Sequence, residues 1–194
     1  MLMDARQRII RATTRLLKQK GLKATTTRAI AKAAGVNEVT LFRQFGSKRS
    51  LFQTVIAAIA YHPDLEQLTA APLSYELETD LLLFAKTFQS VLAKNRDLIL
   101  ILLNSSSSEW HVEFEQELLF FPQEMKNLLG NYFALMQQKD LLPPGPVEPQ
   151  VLAFISMNFG YFFSRTRFGE KIFSVSEEDF LCNSVKTFSK GLSA

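Results

Sequence analysis

The stretch that decides the fold is TTTRAIAKAAGVNEVTLFRQFGSKRSLF, from Thr25 to Phe52. Its three threonines supply a hydroxyl N-cap for a helix from Arg28 to Ala34, whose Ile30, Ala31 and Ala34 share one face, and Gly35 terminates it. After the turn Gly35-Val36, Asn37 caps a second short helix through Phe45, and Gly46 stops that one. Ala29, Ala31, Ala33, Ala34 and Gly35 are small enough for the two helices to approach closely at a steep angle, which is helix-turn-helix packing. Val36, Leu41 and Phe45 then point inward. Asn37, Glu38, Val39, Thr40, Arg43 and Gln44 are left facing out, a short-armed and chemically mixed face that suits base edges better than a bare phosphate clamp.

Working outward, Ile9, Ala12, Leu16 and Leu17 form one narrow apolar stripe on a preceding helix that Gly21 ends. Ser47 caps a following helix with Lys48 in its first turn and Leu51, Phe52, Val55, Ile56 and Ile59 as its stripe, broken at Tyr61-His62-Pro63-Asp64. Charge is segregated along the chain. Residues 1–50 hold 12 basic side chains against Asp4 and Glu38, a net of +10, whereas the remaining 144 residues hold 10 basic and 17 acidic ones, a net of −7. A compact module with that excess collects polyanions by counterion release, so nucleic acid is the expected partner. An acidic membrane surface would also satisfy the charge, but it needs a wide apolar face opposite the basic residues, and the narrow first stripe leaves little for lipid.

Beyond residue 50 the composition changes, with 15 of the 17 Phe in that part, and the apolar spacing stays helical. The pattern predicts helices over 76–94, 96–104, 109–139 with a kink at Pro122, 148–168 and 177–192, separated by the loop 105–108 and the connector Leu142-Pro143-Pro144-Gly145-Pro146. The fold class is therefore all-α, about nine helices, with a boundary at residue 50: a DNA-binding domain over 1–50 and a larger helical domain over 51–194.

Several function classes are excluded. The longest apolar stretch, Leu98 to Asn104, is far shorter than the roughly 20 residues of a membrane span, and no signal-like apolar run follows the N-terminal basic residues, so the chain reads as cytoplasmic. One cysteine, Cys182, makes neither an internal disulfide nor a multi-cysteine metal site, and is expected as a small buried side chain in a helix. His111, Glu113 and Glu115 stand at i, i+2 and i+4, where the middle residue points away from the others, and a solvated acidic face is the better reading than a metal site. His62 reads as a loop residue. There is no G-x-S-x-G, no phosphate-cradling glycine loop and no Cys/His pair, so neither catalysis nor a cofactor is expected.

The stretch Thr25 to Phe52 closely resembles the DNA-binding signature of the tetracycline-repressor (TetR) family: Thr before Ile-Ala, Ala-Gly-Val at the turn, Thr-Leu-aromatic in the recognition helix, and Phe-Gly-Ser-Lys opening the next helix. That resemblance covers about a quarter of the chain; for the rest the likeness is one of layout. It implies a homodimer joined by the last two helices, bound to a partly palindromic operator in double-stranded DNA, usually repressing, and released when a small molecule enters the second domain. It puts Thr27 and Arg28 at the DNA-facing start of their helix, Asn37, Glu38, Val39, Thr40, Arg43 and Gln44 in the major groove or on its phosphates, and Lys48 on a phosphate at a helix N-terminus. Phe42 departs from the pattern, because many members carry Tyr there to donate to a phosphate. Glu38 is the other departure: a carboxylate near phosphates repels unless it accepts from a cytosine amino group, and a salt bridge to Arg28 or Arg43 is the equal alternative.

The aromatic content suggests a small hydrophobic effector. The resemblance points to Phe84, Phe88, Trp110, Phe114, Phe121, Met125 and Asn158 for its wall, and any single Phe is core more often than pocket. Gly160 and Ser164, one turn apart, admit a close partner helix, so Met157, Gly160, Tyr161, Ser164 and Phe168, with Leu181, Val185 and Phe188, form the expected dimer seam; the alternative is packing within one protomer. The competing function is a DNA-binding regulator of the same fold whose second domain serves only dimerisation or a protein partner.

Overall fold

The protein's structure, a computed structural model, describes residues 3–59, 63–96, 99–100 and 115–193. Among these it holds nine helices and no strand. They fall into two compact units, one holding the first four helices and the other the last five apart from the first turn of the third of those.

In the first unit α1 (Ala5–Ala24), α2 (Thr27–Ala34), α3 (Glu38–Phe45) and α4 (Lys48–Ile59) close around one core. Asp4 caps α1, its carboxylate accepting from the Gln7 amide at 2.7 Å. Ile9, Leu17, Ile30, Leu41, Leu51, Phe52, Val55 and Ile56 are fully buried together, and each such side chain contributes about 1.5–3 kcal/mol by leaving water. The expected boundary at residue 50 thus falls inside α4, whose Leu51, Phe52, Val55 and Ile56 complete this core. Gly21 leaves the helical region at φ 73°, kinking α1 rather than ending it, and a last turn beyond it buries Leu22. Thr25 fastens that turn by donating its hydroxyl to the Gly21 carbonyl at 2.7 Å.

In the second unit α5 (Pro63–Ala70), α8 (Val147–Phe168) and α9 (Glu177–Leu192) all pack against α6 (Leu77–Lys94), and α7 (Glu115–Gln138) adds Met125, Leu129 and Phe133 to the core. The Phe188 ring lies 5.4 Å from Phe154 and 6.5 Å from Phe133, centroid to centroid. The segment 142–146 is irregular, and α8 and α9 lie within one residue of their expected spans. Pro122 sits inside α7. One element departs from expectation: α5 begins at Pro63, which the sequence pattern takes as a helix breaker. Proline's fixed φ and missing N–H suit the first position of a helix, and Leu65 and Leu68 bury the new helix's face. Residues 97–98 and 101–114, which hold most of the expected helix 96–104, the loop 105–108 and His111 and Glu113, lie outside the described residues, as does His62.

Cys182 is exposed, against the expectation of burial. The buried face of α9 is Leu181, Val185 and Ser189, a strict four-residue repeat, and one residue further along the helix turns Cys182 away from it. Among the described residues no helix is long and apolar enough to cross a membrane, and no group of His, Cys, Asp and Glu could hold a metal ion.

A polar lock precedes α6. Asp80, 2% exposed, accepts from the Ser74 amide (2.9 Å), the Ser74 hydroxyl (2.8 Å) and the Tyr75 amide (2.9 Å), and so fixes the chain where Tyr75 takes the left-handed φ of 62°. Asp64 ties α5 to α6 by accepting from Ser90 (2.6 Å) and Lys94 (2.7 Å), and these partners hold its carboxyl below the ordinary carboxylate value. Replacing Asp80 by Ala strands three donors at once and is expected to cost about 3 kcal/mol, read as a lower urea midpoint. An unchanged midpoint would contradict the lock.

Candidate nucleic-acid interface

The turn between α2 and α3 is built by hydrogen bonds that the sequence supplies locally. Thr26 caps α2, its hydroxyl accepting from the Ala29 amide at 3.2 Å. At the other end Gly35 takes a left-handed conformation, φ 65° and ψ 39°, and the Val36 amide donates back to the Ala31 carbonyl at 3.0 Å. A side chain at Gly35 would be strained in that region, which is why glycine stands there. Two residues later the Asn37 carboxamide accepts from the Thr40 amide at 2.7 Å and starts α3. Ser47 caps α4 in the same way, accepting from the Ser50 amide at 3.0 Å.

With Leu41 and Phe45 buried and Val36 packed against the core, the opposite side of α3 is presented to solvent. Val39 is 73% exposed and Phe42 44%; Asn37, Arg43 and Gln44 are exposed and Thr40 half-buried. Arg28 is exposed on α2, with Thr27 half-buried beside it. Glu38 does not pair with either of the arginines expected as its alternative partners. The Thr27 hydroxyl donates to its Oε1 at 2.6 Å, bridging α2 to α3, and among the described residues no ion pair joins it to Arg28 or Arg43. One carboxylate oxygen is thereby held by the framework while the half-buried side chain stays at the edge of the exposed face. Lys48 sits in the first turn of α4 with its ammonium 5.1 Å from the centre of the Phe52 ring. The structure therefore brings the residues named from sequence onto neighbouring surfaces of one three-helix frame.

Five of the residues expected to line a ligand site are buried in the second unit. Phe84, Phe88, Phe121, Met125 and Asn158 are all enclosed, with the Phe88 and Phe121 rings 5.2 Å apart. The Gln89 amide donates to the Asn158 backbone carbonyl at 2.9 Å, and the Asn158 amide donates to the Phe154 carbonyl at 2.9 Å, so two polar side chains sit within this apolar interior. Trp110 and Phe114 lie outside the described residues. Of the expected seam, Met157, Tyr161 and Ser164 are half-buried and Gly160 and Phe168 exposed. Leu181 and Val185 are buried within the protomer, and Phe188 packs on Phe133 and Phe154 of the same chain. Sequence reasoning missed Leu152, 63% exposed, and Phe163, which give α8 an apolar outer side opposite buried Val151, Phe154 and Phe162. The available signal was a helix apolar on all sides, which one core cannot cover.

A basic helix-turn-helix unit joined to a second helical unit is the build of a DNA-binding regulator, and comparison with known proteins gives the same class. The family model described as bacterial regulatory proteins, tetR family, matches residues 9–55. The chain is 32% identical over 188 residues to the uncharacterized HTH-type transcriptional regulator YvkB of Bacillus subtilis (strain 168), covering 97% of each. Its structure is similar to that of NalD, the secondary repressor of the MexAB-OprM multidrug efflux pump in Pseudomonas aeruginosa, with a TM-score of 0.73 at 25% identity over 97% of this chain and 95% of that one. It also resembles the flavonoid-responsive regulator FrrA, with a TM-score of 0.67 at 23% identity over 96% of both chains. The chain belongs to the TetR family of DNA-binding transcription regulators.

The caps and the outward side chains should separate in mutagenesis. Asn37→Ala removes the start of α3 and is expected to destabilise the protein by about 1 kcal/mol in a denaturation curve. Gln44→Ala on the exposed side should leave the same curve in place; equal losses in both would contradict this division.

Proposed function

We propose that the chain is a cytoplasmic homodimeric repressor that holds a partly palindromic operator through its first unit and releases it when a small hydrophobic molecule enters the second. The observation that carries the DNA assignment is the exposed side of α3, with Val39, Arg43 and Gln44 free of the core, on a unit whose sequence carries a net +10 over residues 1–50. Arg43 and Gln44 are placed to hydrogen-bond base edges or phosphates, and Val39 to meet a thymine methyl. Thr27, Arg28, Asn37, Thr40 and Lys48 serve the flanking phosphates, Lys48 from the amide end of α4. Glu38, steadied by Thr27, turns its second oxygen to a cytosine amino group.

Phe42 belongs to the same exposed side but has no hydroxyl. Phe42→Tyr should supply a phosphate donor and tighten operator binding by about two- to tenfold, the equivalent of roughly 0.5–1.5 kcal/mol. Unchanged or weaker binding in an anisotropy titration would place Phe42 off the backbone.

Dimerisation rests on the outer side of α8, where Leu152, Phe163 and Phe168 are exposed apolar residues near Gly160 and Ser164. The effector reading rests on the aromatic interior around Phe84, Phe88, Phe121 and Met125, where Gln89 and Asn158 offer a small polar component, the usual make-up of small-molecule sites. The names of two similar proteins lend it support, one a repressor of a multidrug efflux pump and the other flavonoid-responsive. A thermal-shift panel tests the ligand class: lipophilic and planar aromatic compounds should raise the melting temperature and weaken operator binding. Stabilisation by anionic sugars or metal ions alone would oppose it.

A further inference from the structure

We propose that α1 carries a second DNA-contacting surface, a basic track of Arg8, Arg11 and Arg15 that grips the sugar–phosphate backbone flanking the half-site read by α3. Positions 8, 11 and 15 follow the three- and four-residue spacing of one helical face, and all three arginines are exposed. They wall a groove of about 330 Å³ whose floor is Ala12 of α1 with Ala33 and Ala34 of α2. The groove's neighbour, about 420 Å³, is lined by Arg11 and Arg15 again, with Thr14, Lys18 and Gln19. No acidic side chain lines either.

The arrangement fits a DNA strand better than a bare solvated helix face. Guanidinium groups offer planar, two-pronged donors to phosphate oxygens, and the alanine floor is short enough for a deoxyribose edge to lie against it. From Arg8 to Arg15 the helix rises roughly 10 Å, comparable with three phosphate intervals of one strand along the duplex axis. The track is also separate from the motif's own contacts. It lies at the carbonyl end of α2, whereas Thr27 and Arg28 stand at the amide end. The Arg8 guanidinium is 4.0 Å from the position a Gly35 side chain would take, so the groove borders the turn that leads into α3. Arg8 beside the carbonyl end of α2 also offsets that helix's dipole, which makes Arg11 and Arg15 the cleaner probes.

The inference rests on the DNA-binding reading, and its test separates the two. The footprinted site upstream of the protein's own gene is prepared as a duplex trimmed to its half-sites and as one extended by about ten base pairs, one helical turn, on each side. Wild type should bind the extended duplex more tightly and with a steeper salt dependence. Arg11→Gln/Arg15→Gln should lose that gain, its log K against log salt slope becoming shallower by about 1.8 for two phosphates released, with the trimmed duplex bound as before and the melting temperature unchanged. Arg11→Lys/Arg15→Lys, which keeps the charge, should retain most of the gain. A Gln variant that keeps the length gain, or that loses affinity equally on both duplexes, overturns the track. Wild type that binds neither duplex overturns the DNA-binding reading itself, and the track with it.

Discussion

The left-handed turn at Gly35 is the constraint from which the first unit's outward surface follows. With the Val36 amide returned to the Ala31 carbonyl, α2 stops in time for Asn37 to start α3, and the small residues before the turn let the two helices meet over Ile30 and Leu41. Register along α3 is then fixed. Leu41 and Phe45 face the core, so Val39, Phe42 and Arg43 face solvent whatever the partner. The bond from Thr27 to Glu38 adds a second tie across the same crossing. A recognition surface needs this stiffness, because base-edge hydrogen bonds tolerate little angular error.

The second unit is organised differently. Its interior is a set of tilted aromatic pairs on α6, α7, α8 and α9, and polar order enters at two buried points, Asp80 in the first turn of α6 and the Gln89–Asn158 pair between α6 and α8. Tilted ring contacts of this kind tolerate a range of geometries, while buried hydrogen bonds do not.

The helix-turn-helix was legible in the sequence because its determinants are local: a hydroxyl or carboxamide at each N-cap, a glycine at each stop, and alanines between. What escaped notice depends on contacts that only the folded chain makes. Pro63 reads equally as a breaker and as a first helical residue until Leu65 and Leu68 find a surface. Asp80 looks like any acidic residue in a first turn until the loop at Ser74 folds onto it. Glu38 had two plausible arginine partners in Arg28 and Arg43, and the structure gives it the neighbouring Thr27 instead. In α9 the spacing of Leu181, Val185 and Phe188 marks an apolar face but not whose core it enters, and within this chain that face is already covered.

The account stands most directly on a symmetric encounter between the exposed sides of two α3 helices and one duplex. Footprinting of the DNA upstream of the protein's own gene, repeated across a salt series, measures it. The expected result is a protected region holding two inverted, related half-sites about one helical turn or a multiple apart, lost progressively as salt rises. Protection that is absent at low salt, or that spreads evenly with no inverted pair, would contradict it.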